Sequence, residues 1–166
     1  MNFAPAVMPA LLVELKKISA ERAALSCRRP DGSATWSRVH SFFPPHDLTH
    51  FAVEKELALR RGFFGLIAEG WDLADFTQPG VAARLPREGL VVENLVGTFE
   101  RVGADLPPAE FGAALADSLA AQNLPAFRAP DADELARVRA THATLLAQWR
   151  ALPVGGTLRL EFPLAD

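Results

Sequence analysis

The chain has a single cysteine, Cys27, in 166 residues, which excludes an internal disulfide framework and fits a reducing compartment. Positive charge is scarce as well: 17 Lys and Arg against 20 Asp and Glu leave a net charge of −3, with no general attraction to nucleic acid or to anionic membranes. No stretch approaches the roughly 20 consecutive apolar residues that a membrane-spanning helix needs. Residues 1–10 lack a basic segment and Glu14 interrupts the apolar run that follows, so a secretory leader is not expected. Neither a GxSxG turn nor a P-loop occurs, which removes two common signatures of nucleophilic hydrolases and nucleotide enzymes. These absences describe a soluble, cytoplasmic protein with no nucleic-acid or membrane partner.

What is present is the balance of an ordinary globular protein, 49% hydrophobic and 22% charged. The length predicts one domain over residues 1–166, enough to bury about 70% of the unfolded surface. Leu11 to Ile18 alternates like a strand, with Leu11, Val13 and Leu15 on one side and Glu14 and Lys16 on the other, although Leu11, Leu15 and Ile18 also fit a helix. Ala23 to Arg29 and Ala34 to His40 flank Pro30-Asp31-Gly32-Ser33, a turn sequence, and so form a hairpin that needs a third strand beside it. Pro44 and Pro45 end strand pairing and open a helix expected to run to about Arg61 and to stop at Gly62.

Phe63 to Trp71 is a short apolar segment, a second buried helix ending at Gly70, and Asp72 to Glu88 is the longest irregular connection. Val91, Leu95, Thr98, Phe99 and Val102 form the stripe of the next helix, closed by Gly103. Pro107 and Pro108 open another, with Phe111, Leu115, Leu119 and Gln122 in register. Asp131 and Glu134 make a capping box ahead of a long helix with Leu135, Val138, His142, Leu145, Trp149 and Leu152 on one face. After Pro153, Gly155 and Gly156, Leu158, Leu160 and Phe162 mark a last strand. The expected fold class is α+β: an N-terminal antiparallel hairpin or meander joined by the C-terminal strand, with a helical middle packed on one face.

The densest site chemistry lies in His46-Asp47-Leu48-Thr49-His50, with Glu54 one turn beyond. Positions four apart return to nearly one helix face, so His46 and His50 project side by side and suit a shared divalent ion, zinc above all. Val53 and Leu57 lie within about 60° of both, so the pair borders apolar packing. The Cα of Glu54 is about 12 Å from that of His46 at helical rise, too far to share the ion but well placed to accept the free N–H of His50. A third ligand has to come from elsewhere, and Glu69, His142 and His40 are the candidates. If instead Asp47 is the N-cap, His46 lies outside the helix and the shared face is lost.

His46-Asp47-Leu48-Thr49-His50 resembles the HExxH zinc helix of the zincin metallopeptidases, with Asp47 where that family has its general-base glutamate, one methylene longer. Glu69 follows His50 after eighteen intervening residues, a gap similar to that before the glutamate ligand of the gluzincin branch. The resemblance covers His46 to Glu69 and implies that His46, His50 and Glu69 bind zinc while Asp47 activates a water. A zinc family of ubiquinone biosynthesis also carries His-Asp-x-x-His, but its glutamate twelve positions on is Gly62 here.

Elsewhere, His142 in its apolar stripe reads as a core histidine bonded to a neighbour, and Arg28, Arg29 and Arg38 as a solvated hairpin face rather than an anion site. Phe63, Phe64 and Trp71 read as core, with an apolar pocket as the rival. The functional expectation is a divalent-metal or polar site on this helix and, if the protein is an enzyme, hydrolysis by a metal-activated water with His46 and His50 as ligands and Asp47 as base. The alternative is a non-catalytic domain whose helices mediate self-association or partner binding.

Overall fold

The computed structural model describes residues 9–40, 42–102 and 105–164. Four strands, β1 (Ala10–Lys17), β2 (Arg22–Arg28), β3 (Ala34–His40) and β4 (Thr157–Pro163), form one antiparallel sheet in the order β3-β2-β1-β4. The C-terminal strand therefore pairs with the first, Leu11 opposite Phe162 and Val13 opposite Leu160, while Leu15 and Leu25 oppose each other across β1 and β2. Alternation decides which face is covered. Leu11, Val13, Leu15, Ala23, Leu25, Cys27 and Phe162 are buried, whereas Leu12 and Trp36 on the other face remain 44% and 67% exposed. In the β2–β3 turn Gly32 has φ of +88°, and Asp31 Oδ1 accepts the Ser33 amide at 2.8 Å.

Among the described residues there are six helices, α1 (Phe43–Glu56), α2 (Phe63–Ala68), α3 (Val81–Arg84), α4 (Arg87–Val102), α5 (Pro108–Ala121) and α6 (Ala132–Ala151), with a 3-10 turn at Leu73–Thr77. The short turn and α3 occupy the connection expected to be irregular. The expected closure at Gly103 lies outside the described residues. At α6 the capping box forms as its sequence requires: Asp131 Oδ1 accepts the Glu134 amide at 2.8 Å, and Glu134 Oε2 accepts the Asp131 amide at 3.0 Å. Lys17 Nζ closes the other end by donating to the carbonyls of Trp149 and Leu152.

Helix α1 stops at Glu56, short of the expected Arg61. The chain turns at Leu57 and Ala58, which takes φ of +51°, and the Leu59 amide donates back to the Glu54 carbonyl at 2.8 Å. Arg29 is a second correction, because it folds inward instead of facing solvent. Its Nε donates to the Ile67 carbonyl and its Nη2 to the Trp71 carbonyl, each at 2.7 Å, and so caps α2.

Two apolar clusters result, and α1 serves both. Leu48 and Phe51 pack under the sheet with Phe64, Ile67, Trp149 and Phe162. Ala52, Val53 and Leu57 pack with Val91, Val92, Leu95 and Val96 of α4. Every residue of α1 from Asp47 to Glu54 is buried, and of the four polar side chains in that stretch Thr49, His50 and Glu54 find partners inside the protein.

Candidate metal centre

Because α1 begins at Phe43, His46 lies inside it, and the two histidines share a face with their rings 4.8 Å apart. The facing side chains come from α4. Glu93 and Glu100 are seven residues apart, two helical turns, and flank the fully buried Val96. His46 Nδ1 lies 3.0 Å from Glu100 Oε1. His50 Nδ1 lies 3.1 Å from Glu54 Oε1, and its Nε2 lies 3.6 Å from Glu93 Oε1. One donor atom from each of His46, His50 and Glu93 falls within 4.8 Å of the others.

Each histidine thus has Nδ1 held by a carboxylate that fixes the ring, which makes Nε2 the nitrogen that could bind an ion. Two donors on a tetrahedral ion with bonds of about 2.0–2.1 Å stand about 3.3 Å apart, close to the separation of His50 Nε2 and Glu93 Oε1. Among the described residues no other histidine, cysteine or carboxylate completes such a group.

Glu69 and His142, the expected third donors, stand elsewhere. Glu69 follows the last residue of α2 and pairs with Arg61 at 3.4 Å. His142 reaches α1 at Thr49, with Nε2 3.3 Å from its hydroxyl, and lies edge-on to Phe99. Thr49 is about 100° round the helix from His50, so the histidine of α6 meets a different face. His40 lines the cavity beside the cluster without joining the donor group. The carboxylate that sequence reasoning missed is Glu93, which lies roughly opposite the Val91–Leu95 stripe of α4, on a side that the stripe alone assigns to solvent.

Glu54 is fully buried and accepts four donors: His50 Nδ1, the Phe63 amide at 2.7 Å, the Phe64 amide at 3.0 Å and the Gly65 amide at 3.4 Å. It therefore closes the amino end of α2 from a distance. Gly62 is required for this approach, since a Cβ there would come within 2.4 Å of Glu54 Cδ.

The cluster forms one wall of a cavity of about 520 Å³, which also takes Leu25, Val39, Phe43, Phe63, Phe76 and Leu85. Asp47 lines the same space, and its Oδ2 is buried with no hydrogen-bond partner. Burial pushes the Asp47 carboxyl up to about 7, against the pull of His50 and His46. Burial also opposes charge on His50, but Glu54 and Glu93 outweigh it and raise the imidazole to about 10. Burial acts the same way on Glu93 and Glu100, yet the histidines hold both below the usual carboxylate range. Cys27 is inert by comparison, since burial lifts its thiol to about 12.

A second cavity, of about 510 Å³, includes Leu59, Arg61, Arg87 and Phe127. Its three lining arginines are already engaged, Arg60 with the Pro163 carbonyl, Arg61 with Glu69 and Glu88 and Arg87 with the Asn123 carbonyl. Comparison with protein-family models, curated proteins and solved structures returns no match, so the α+β fold and the chemistry of the cluster are the basis for a functional reading.

Proposed function

We propose that the protein is a divalent-metal-dependent hydrolase with its centre between α1 and α4. The observation that carries this reading is the convergence of His46, His50 and Glu93 on one point of the cavity wall, each histidine with its far nitrogen already engaged. Two imidazoles and one carboxylate suit zinc and leave a coordination position for water. The bound cation supplies Lewis acidity and a more acidic water. Glu54 and Glu100 hold the imidazoles in the ligating tautomer. Asp47, with its unpartnered oxygen and a pKa near neutrality, takes the proton of the attacking water and returns it to the leaving group.

The rival reading, a non-catalytic domain, draws on one specific observation. His50 and Glu54 also tie α1 to the start of α2, work that requires no metal. Metal analysis of untagged protein separates the two. The hydrolase reading predicts about one equivalent of divalent metal, lost in the His46→Ala/His50→Ala double variant. No metal, with melting unmoved by zinc or chelator, leaves the structural reading.

A further inference from the structure

We infer that the cavity beside the cluster takes an uncharged, largely apolar substrate, and that the bond opened there is a carboxylic ester or amide. The bond cleaved rests on the hydrolytic reading above, whereas the class of ligand rests on the walls and charge of the cavity itself.

Three observations agree. The space of about 520 Å³ is lined on several sides by hydrocarbon, with Leu25, Val39, Phe63, Phe76, Leu85 and Leu90 from six different segments. That volume lies within the roughly 300–1,000 Å³ of pockets that hold small molecules. The second observation concerns access. Phe43 lines the cavity yet is 47% exposed, and Phe42, 73% exposed, meets it edge-on at 6.0 Å. Exposed rings beside an apolar hollow shed water when an apolar ligand enters.

The third is charge. Glu93 belongs to the donor group, and Glu54 and Glu100 stand behind the two histidines. Three carboxylates exceed the charge of one divalent cation, so a loaded centre with neutral imidazoles has no positive charge left over for a phosphate, sulfate or carboxylate. Anion sites supply that charge with guanidinium or ammonium groups. Among the described lining residues Arg38 is the one such group, on an exposed position of β3, an edge strand of the sheet.

The reaction then balances without a co-reactant other than water. The water oxygen bonds to the carbonyl carbon and its proton passes to Asp47. The bond from that carbon to the alkoxy oxygen or amide nitrogen breaks, and the leaving group takes the proton from Asp47. A carboxylic acid and an alcohol or amine are released.

The test uses the full chain, zinc-loaded and metal-free. Para-nitrophenyl hexanoate is compared with the same ester bearing an ionised carboxylate at the far end of its acyl chain, and with para-nitrophenyl phosphate. The zinc-loaded protein should show a kcat/KM at least about tenfold higher for the uncharged ester, with no turnover of the phosphate. Calorimetry of the metal-free protein with the matching anilides, neutral and carboxylated, reads recognition without turnover, and the neutral anilide should bind at least about tenfold tighter. Val81, the first residue of α3, also lines the cavity, and Val81→Arg places a cation on that wall and should narrow or reverse the preference at unchanged melting temperature and zinc content. Equal or tighter binding of the carboxylated anilide overturns the inference, as does failure of both anilides to bind the metal-free form of a protein that takes up stoichiometric zinc. If zinc does not bind but the neutral anilide is still preferred, the hydrolytic reading falls and the ligand class stands.

Discussion

Replacing Glu54 by alanine should cost more stability than almost any other single polar change in the chain. The carboxylate is fully buried and accepts the Phe63 amide at 2.7 Å, the Phe64 amide at 3.0 Å and His50 Nδ1 at 3.1 Å. Orphaning a buried donor costs about 1–3 kcal/mol, and removing one partner of a buried ion pair costs about 3–5 kcal/mol. These losses overlap and water relieves part of them, so the expected destabilisation is about 3–5 kcal/mol, against about 5–15 kcal/mol for a whole domain. Glu54→Gln keeps one acceptor oxygen but turns an amide N–H toward other donors, for a loss of about 1–3 kcal/mol. Gly62→Ala attacks from the opposite side, because its Cβ must displace the same carboxylate. The two sites are therefore coupled: once Glu54 is alanine, Gly62→Ala should cost little further. Urea unfolding of metal-free protein at neutral pH, followed by circular dichroism, measures all four members of this cycle. A Glu54→Ala variant within about 1 kcal/mol of the wild type, or additive losses, would refute the argument.

Other consequences can be measured in the same way. Asp47 has a folded pKa of about 7, above its ordinary 3.8, so the folded state holds the proton more tightly than the unfolded state, and stability falls as pH rises between those values. Asp47→Asn should therefore stabilise the metal-free protein by an amount that grows from about pH 4 to about pH 7, reaching a few kcal/mol, and then levels off; a gain independent of pH contradicts this. Glu100→Gln replaces the charged acceptor that orients His46 and should weaken zinc binding by about 10–100-fold in a calorimetric titration while leaving the fold intact. Asp131→Ala removes the cap of α6 and should lower stability by about 1 kcal/mol in urea melts, with no effect on metal affinity.

The sheet was legible because its signals are local. Alternation in β1, the Pro30–Ser33 turn and the Leu158-Leu160-Phe162 pattern each needed only a few residues, and together they called for a sheet that the last strand joins; that it pairs with β1 and not with β3 is set by packing beyond those patterns. The capping box of α6 was legible for the same reason. The end of α1 was not: the reversal at Leu57 and Ala58 carries no glycine, asparagine or proline, and Gly62 serves the Glu54 carboxylate and the start of α2 instead of stopping α1. Half of the candidate centre was readable from the spacing of His46, His50 and Glu54. The other half depends on how α4 lies against α1, which no local pattern records. A signal was nevertheless available in α4, where Glu93 and Glu100 sit two turns apart on either side of Val96, an apolar residue outside the main stripe. A second buried face with carboxylates at heptad spacing opposite a histidine pair is the pattern that would have singled out Glu93.

The most direct test of the centre is zinc titration of the untagged protein beside its Glu93→Gln and Glu69→Gln variants. The geometry predicts one zinc per chain for the wild type, unchanged binding for Glu69→Gln, and at least about tenfold weaker binding for Glu93→Gln. Zinc binding that survives loss of Glu93 but not of Glu69, or no binding by the wild type, contradicts it.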